Sequence, residues 1–284
     1  MVACDGRTSG AVALPPVTLA MAFRPAKVMK YHFHLASEVT SDTGGGPIPV
    51  KTDLTATETI TVRAVGPNGT ADIDVLLDGT KLTVNDIEVE LPQSSVTSKL
   101  RISRDGEILT GGVPASSSSG SPNIVPGLDQ VTPLLPDHAV KPGDRWAKTY
   151  DRPVPYGDGK LHYSTDNKFL RYEQVKGVKA AVIETSSAAL PLTFSLDVRK
   201  LLQAGGQAGL LSQFPPKSQP KISYVGSGSL DLLSTMDPKA GEMLKAHLQA
   251  KFDLKTAFLG FPKGSVPAGE VPQSGKLILD LDRV

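Results

Sequence analysis

The sequence contains little of what several common functions require. Aromatic residues make up 5% of the chain, with a single Trp, so it has little material for surfaces that stack on nucleic-acid bases. Thirty basic and 29 acidic residues leave a formal net charge of +1, without the basic patch that marks a nucleic-acid-binding protein. No run of eighteen apolar residues is present, so the sequence predicts no membrane-spanning helix. We therefore expect no nucleic-acid partner.

Cysteine is equally scarce, since Cys4 is the only one in the chain. The preceding residues, with Ala3 next to the cysteine, resemble the end of a bacterial lipobox, in which the cysteine becomes the lipidated first residue. The charged and apolar signal regions that come before a lipobox do not precede it in this sequence. The lipobox interpretation predicts lipidation of Cys4, a membrane partner through this N-terminal anchor, and a place in the bacterial cell envelope, periplasmic or extracellular. A chance cysteine in a tether is the alternative.

The clearest pattern in the sequence is a strict alternation of apolar and polar residues, most regular within residues 241–258. From Leu244 to Leu254 every even position is apolar and the odd positions are polar or charged. Successive side chains of a strand point to opposite faces, whereas a helix would spread these apolar residues around its circumference. The pattern predicts a long strand over 243–258 with one apolar face. The candidate ligand-binding residues on that face are Leu244, Ala246, Leu248, Ala250, Phe252 and Leu254.

The same alternation recurs along the chain. A hairpin is predicted where strands around residues 54–64 and 71–77 flank a Gly-Pro-Asn-Gly turn, with Glu58 the one interruption of the first strand. The apolar parity flips between Val84 and Ile87, which predicts a β-bulge near Asn85. Further strands are expected at 30–40, 145–151, 160–175, 178–187, 190–200, 221–233 and 275–282.

These patterns predict an all-β, mainly antiparallel fold of long twisted strands that form an open half-barrel or a sandwich, with few short helices. The expected organisation is an N-terminal tether (1–27), a first β half (28–111), a Ser/Gly/Pro-rich linker or loop (112–135) and a second β half (136–284). The two halves repeat a Gly-Glu-(Ile/Met)-Leu segment, at 106–109 and 241–244. This repeat indicates an internal duplication or the convergence of two meandering sheets.

No motif in the sequence supports a catalytic site. Asp42-Thr-Gly has the letters of an aspartic-protease triplet, but no second triplet is present to share a proton, and a turn is the better interpretation. His32 and His34 leave the same face of a predicted strand, and His162 could join them at a metal, but nothing in the sequence brings the three together and solvent-facing histidines are the better interpretation. Gly226-Ser-Gly-Ser lacks the spacing of a nucleophile elbow. The sequence predicts no catalytic residue, metal or cofactor, and an enzyme is the weakest hypothesis.

Two further segments suggest a family. Residues 135–146, which end in Pro-Gly-Asp-Arg-Trp, and residues 226–230, together with Cys4 and the tether, resemble uncharacterised β-rich bacterial lipoproteins. More distantly, the layout is similar to the lipoprotein-carrier superfamily of LolA-like and LppX-like proteins. That resemblance implies an open, curved half-barrel around an apolar cavity. It implies no particular site residues, because such cavities are lined by unspecific apolar side chains.

Two functions remain as hypotheses. The first is a non-enzymatic envelope lipoprotein that binds a lipid or other apolar ligand in a β-lined cavity. The second is a structural or protein-interaction module of the envelope without a ligand cavity. The surroundings of the small residues on the apolar face of strand 243–258 would distinguish these two functions. A void beside Ala246 and Ala250 would favour a carrier, whereas complete coverage of both would favour a scaffold.

Overall fold

The computed structural model describes residues 15–90, 95–110, 130–154, 156–204, 208–215 and 217–284. Within these ranges the chain forms thirteen strands, one α-helix and one 3₁₀ helix, which confirms the all-β prediction. The strands are β1 Val28–Asp42, β2 Pro47–Val65, β3 Ala71–Val84, β4 Ile87–Val89, β5 Val96–Ile102, β6 Ile108–Thr110, β7 Arg145–Pro153, β8 Gly157–Asp158, β9 Lys160–Val175, β10 Val178–Asp197, β11 Lys221–Asp237, β12 Glu242–Leu259 and β13 Glu270–Arg283. Helix α1 spans Val198–Ala204, and the 3₁₀ helix spans Ala208–Gln213.

All thirteen strands belong to one antiparallel sheet. Its order is β6-β5-β3-β2-β1-β13-β12-β11-β10-β9-β7, with β4 added beside β3 and β8 beside β10. The first long strand pairs with the last, from Tyr31 opposite Arg283 to Ser41 opposite Gln273. Both predicted halves therefore lie in the same sheet, which curls until its two end strands approach each other as a nearly closed barrel. The division of the chain into two repeated halves stays a prediction.

The seam between β6 and β7 is closed by side chains and by residues 130–135 instead of a strand ladder. Lys148 on β7 forms an ion pair with Asp105 in the β5–β6 turn. Gln130 donates from Nε2 to the carbonyl of Gly106 at 3.0 Å, and the backbone N–H of Leu135 donates to the carbonyl of Asp105 at 2.8 Å. Gln130, Gly106 and Leu135 are buried, so their hydrogen bonds satisfy groups that water cannot reach, whereas the Lys148–Asp105 ion pair is partly buried.

One end of the barrel, here called the upper end, is covered by residues 17–23. Val17 forms an antiparallel bridge with Val140, and Leu19 and Met21 are buried in a cluster with Trp146. The Trp146 indole N–H donates to the carbonyl of Leu134 at 2.8 Å, which ties residues 130–135 to β7 beneath this cover. Part of the predicted tether thus packs on the barrel, while residues 1–14, with Cys4, lie outside the described residues.

The structure differs from the predicted strands in two details. The bulge predicted near Asn85 is wrong: Asn85 (φ 49°) and Asp86 (φ 64°) form a two-residue turn, and Val84 pairs with Ile87 across it. Positive φ at both central positions is the signature of a type I′ hairpin, which also reverses the apolar parity. The strands predicted at 178–187 and 190–200 are one strand, β10, whose register shifts between Ser187 and Leu190. This strand ends at Asp197, and residues 198–200 belong to helix α1 instead.

Candidate apolar ligand site in the barrel interior

The barrel has an apolar interior because each strand turns its apolar alternate residues inward. On β12, the inward residues belong to one buried cluster with side chains from the neighbouring strands, among them Leu230 of β11 and Leu279 of β13. Five of the predicted ligand-binding residues lie in this cluster: Ala246, Leu248, Ala250, Phe252 and Leu254. The period-two pattern of the sequence therefore marks a real interior wall.

Leu244, the sixth predicted residue, lies elsewhere. The register between β11 and β12 shifts at Thr235, so that Met236 pairs with Met243 and Met243 takes the inward position. Leu244 instead packs in a small separate cluster with Val175 and Ala180. One extra residue in a strand moves a side chain to the opposite face, and sequence alternation alone does not locate that residue. A ligand-binding role for these six residues stays a prediction.

The small residues of this wall are covered. Ala246 and Ala250 are each only 3% exposed. A cavity of about 30 Å³ lies near the upper end, lined mainly by apolar side chains that include Met29, Tyr31 and Ile60. Its size suits about one water molecule, not an acyl chain. Around the upper half of β12 the interior is thus close-packed.

The opposite end, here called the lower mouth, is more open. It lies where the β1–β2 and β12–β13 turns meet, and apolar residues of the interior wall reach solvent there. Ile48 and Val50 share the inward face of buried Leu54, yet are 55% and 38% exposed. Ile87, opposite the inward-facing Val84, is 69% exposed. Three exposed aliphatic side chains therefore continue the interior wall to its rim.

Aromatic side chains and a helix line the other side of the lower mouth. Phe194 and Tyr224 stack with ring centroids 4.9 Å apart, and burial raises the pKa of Tyr224 to about 12. Phe258 and Phe214 both contact Phe261 edge-to-face. The short helix α1 packs against the interior cluster at this end. Aromatic rings that line an opening offer large apolar contact area to a ligand.

Glu58 is an acidic residue on the interior wall, and it is only 7% exposed. It lies opposite Tyr31, whose hydroxyl donates to the carbonyl of Met243 at 2.9 Å. Among the described residues, this carboxyl has no hydrogen-bond or ion-pair partner, and burial raises its pKa to about 7. The signal that could have identified it was present in the sequence, because Glu58 interrupts the apolar parity of its strand.

The other candidate polar residues lie outside the barrel. His34 Nε2 lies 2.8 Å from Asp53 Oδ2, a hydrogen bond that raises the pKa of His34. His162 pairs with Asp151. Within the described ranges, no group of three or more His, Cys, Asp or Glu residues is arranged to hold a metal ion.

Asp42 ends β1, and its carboxylate accepts from the Gly44 N–H, which is the predicted turn. In the described part of the chain, no helix has both the length and the apolar character needed to cross a membrane. Cys4 lies outside the described residues, so its predicted lipidation stays a prediction.

The fold and its interior define a class: a nearly closed antiparallel β-barrel with an apolar interior. No family model matches the chain, and no curated protein matches its sequence. This chain is similar to a solved structure of lipovitellin, which describes lipid–protein interactions in that protein. The TM-score is 0.43, and the sequence identity is 13% over 92% of this chain. The match covers 25% of the lipovitellin chain, so this chain spans about a quarter of that protein's length.

Proposed function

We propose that this protein binds a lipid or other apolar ligand at the lower mouth and in the adjoining barrel interior, without catalysing a reaction. The supporting observation is the exposure of Ile48, Val50 and Ile87 on the interior wall. Exposed apolar surface that adjoins an apolar interior favours an apolar occupant, at roughly 25 cal/mol for each Å² that the occupant covers. Entry from this end does not require the packed upper end to open.

The first test is native mass spectrometry of the purified protein, together with titration of the neutral fluorescent probe N-phenyl-1-naphthylamine. We expect co-purifying lipid and saturable probe binding. The variant Val50→Asp places a charge on the interior wall at the mouth and should weaken probe binding at least tenfold. Val225→Asp is the matched control, because Val225 is also exposed but lies on the outer face, and it should bind the probe as the wild type does. Equal binding by both variants would contradict entry at the lower mouth.

A structural or protein-interaction module of the cell envelope is the second candidate function. The coverage of Ala246 and Ala250 supports it, because a ligand cavity would be expected to leave such small residues uncovered. A protein that is repeatedly free of lipid, and that gives no saturable probe binding, would favour this function over ligand binding.

We also propose that the protein is a bacterial envelope lipoprotein anchored through Cys4. Support comes from the residues before Cys4 and from the resemblance of segments 135–146 and 226–230 to β-rich lipoproteins. The gene would be expressed with its upstream codons in the presence of an alkyne-tagged fatty acid. Label should enter the wild type and be absent from Cys4→Ser, with the wild type in the membrane fraction. An unlabelled wild type would contradict the anchor.

A further inference from the structure

Two segments at the lower mouth contain basic residues and no acidic ones. They are residues 198–220, which include helix α1 and the 3₁₀ helix, and residues 260–269, which connect β12 to β13. Their basic residues are Arg199, Lys200, Lys217 and Lys263. Basic and acidic residues are almost equal in number over the whole chain, so these basic segments concentrate positive charge at one place.

The two basic segments pack against each other and form one surface. The rings of Phe214 and Phe261 meet edge-to-face with their centroids 5.6 Å apart. Gly260 approaches the other segment so closely that a Cβ added to it would lie 2.7 Å from the carbonyl oxygen of Gln219. This surface is here called the basic side of the lower mouth.

Three lysines on the basic side have a charge that is available to a partner. Lys200, Lys217 and Lys263 are exposed, and none of them forms an ion pair with another described residue. Arg199, by contrast, is engaged inside its own segment, because its guanidinium donates to two backbone carbonyls there at 2.9 and 2.8 Å.

The carboxylates beside this surface already have partners. Asp158 lies 2.6 Å from the ammonium of Lys221, and Glu270 lies 3.4 Å from that of Lys255. The carboxylate of Asp197 accepts from two backbone N–H groups at the start of α1. Positive charge is therefore in excess on the basic side.

The same surface exposes apolar side chains. Leu210 in the 3₁₀ helix is 40% exposed, and Leu259 at the end of β12 is 51% exposed. Phe214 and Phe261 are partly exposed. None of these four side chains belongs to the interior cluster, so the packing of the barrel does not account for them.

The opposite side of the lower mouth has charge of the other sign in its turns. Asp42 at the end of β1, Asp86 in the β3–β4 turn and Glu88 on β4 are all exposed. An anionic partner is repelled by these carboxylates and attracted to the basic side, so its charge fixes where it binds.

We infer that the basic side of the lower mouth docks on an anionic lipid membrane. The lysines meet the charged headgroups, and Leu210 and Leu259 enter the apolar layer beneath them. A bilayer offers both features at once and needs no matching shape, whereas an acidic protein surface would engage the lysines alone. This docking requires neither the Cys4 anchor nor a ligand in the interior, although it would place the mouth against a source of lipid.

The first experiment measures the binding of the full-length chain to lipid vesicles by sedimentation. Cys4→Ser is present throughout, so that no lipid anchor contributes. We expect binding to vesicles of phosphatidylcholine and phosphatidylglycerol to be at least tenfold tighter than to phosphatidylcholine alone. Raising the salt from about 0.1 M to about 1 M should weaken it, because the Debye length falls from about 10 Å to about 3 Å.

Charge reversal locates the contact. The double variant Lys217→Glu, Lys263→Glu should bind the anionic vesicles at least tenfold more weakly, since each lysine near such a surface strengthens binding roughly fivefold. The matched control is Lys141→Glu, Lys239→Glu, which reverses two exposed lysines at the upper end and should bind as the parent chain does. Equal losses in the two double variants would overturn docking through the basic side, as would equal binding to neutral and anionic vesicles.

A second pair of variants tests the apolar part of the contact. Leu210→Ser should weaken vesicle binding at least threefold. Leu233→Ser is the control, because Leu233 is also 40% exposed but lies on β11 away from the mouth, and it should leave binding unchanged. Parent-like binding by Leu210→Ser would overturn the entry of apolar side chains into the membrane.

Binding of N-phenyl-1-naphthylamine separates this inference from the proposed function. The double variant Lys217→Glu, Lys263→Glu should keep the urea midpoint and the probe affinity of the parent chain, which shows that only docking was lost. Vesicle binding without any probe binding would contradict the ligand-binding function and support docking. Probe binding without a preference for anionic vesicles would do the reverse.

Discussion

The Lys148 ammonium lies 2.7 Å from a carboxylate oxygen of Asp105, and this ion pair joins the two ends of the sheet. The two residues are 43 positions apart in sequence, one on β7 and one in the β5–β6 turn. Burial raises the pKa of Asp105, but hydrogen bonds from Lys148 and Ser103 and the charge of Lys148 outweigh it, so the pKa is lowered overall. Among the described residues the two end strands form no ladder, and this ion pair joins them together with the hydrogen bonds of Gln130 and Leu135.

Removal of this ion pair should loosen the seam. We expect Asp105→Asn to lower the free energy of unfolding by about 1 kcal/mol at pH 7, because the pair is partly buried and has several hydrogen bonds. Since the folded pKa is depressed, this contribution is present above the unfolded value near 3.8 and is lost as the pH falls through the lower folded value. Urea unfolding at pH 7 and pH 3 measures the effect.

Asp158→Asn is the matched control, because Asp158 and Lys221 form an equally short but exposed ion pair. The control should leave the urea midpoint at its wild-type value. Hydrogen exchange of amides in β6 and residues 130–135 should quicken in Asp105→Asn alone. Equal effects of the two variants would show that the seam does not depend on this pair.

Glu58 should make stability depend on pH. Its folded pKa, about 7, is raised above the ordinary value of 4.5, so stability is complete below pH 4.5 and declines as the pH rises through 7. Glu58→Gln removes this loss and should be more stable than the wild type by about 2–3 kcal/mol at pH 8, with little difference at pH 4.5. Chemical unfolding of both proteins at the two pH values tests this. A constant difference across the range would mean that Glu58 is not buried as an acid.

The two leucines of β12 should differ in their contribution to stability. Leu248 is completely buried in the main interior cluster, so Leu248→Ala should lower the free energy of unfolding by about 2–5 kcal/mol through lost transfer energy and a new cavity. Leu244→Ala should cost less, about 1–2 kcal/mol, because its cluster with Val175 and Ala180 is small. The comparison is made by urea unfolding. Equal costs would contradict the register shift that separates the two side chains.

Gly275 on β13 should not tolerate a side chain. An added Cβ would lie 2.6 Å from the Phe252 ring and 2.7 Å from the Glu38 carbonyl oxygen, which is backbone and cannot move aside. We expect Gly275→Ala to destabilise the fold by about 1–3 kcal/mol. Gly45→Ala, where an added Cβ meets nothing within 4 Å, is the control. Addition of Phe252→Leu should recover part of the loss in thermal unfolding, because the ring is one of the two obstacles.

Much of the strand structure could be predicted because alternation is a local property. The predicted strands at 160–175 and 243–258 match β9 and β12 closely, since a period of two needs only neighbouring residues to be recognised. The tight turn at Asn85 was mistaken for a bulge, because both features reverse apolar parity. The displacement of Leu244 depends on an extra residue in its pairing with β11, which no pattern within β12 records.

The candidate site was only partly predictable, because the pattern within one strand does not record which residues the neighbouring strands place beside it. Five inward residues of β12 followed from alternation, and Glu58 was visible as an interruption, but its lack of a partner depends on what β1 and β3 place beside it. The lower mouth could not be predicted at all. Ile48 and Ile87 become neighbours on one rim only through the β2–β3 and β3–β4 pairings.

By itself, the sequence determined that this is an all-β protein of long antiparallel strands with one apolar face, because side-chain alternation and turn residues act over short distances. Only the tertiary structure decided that the sheet continues past a half-barrel to a seam held by Lys148 and Asp105, and that one end is packed while the other exposes its wall. Closure depends on the accumulated twist of many strands and on contacts between residues far apart in the chain.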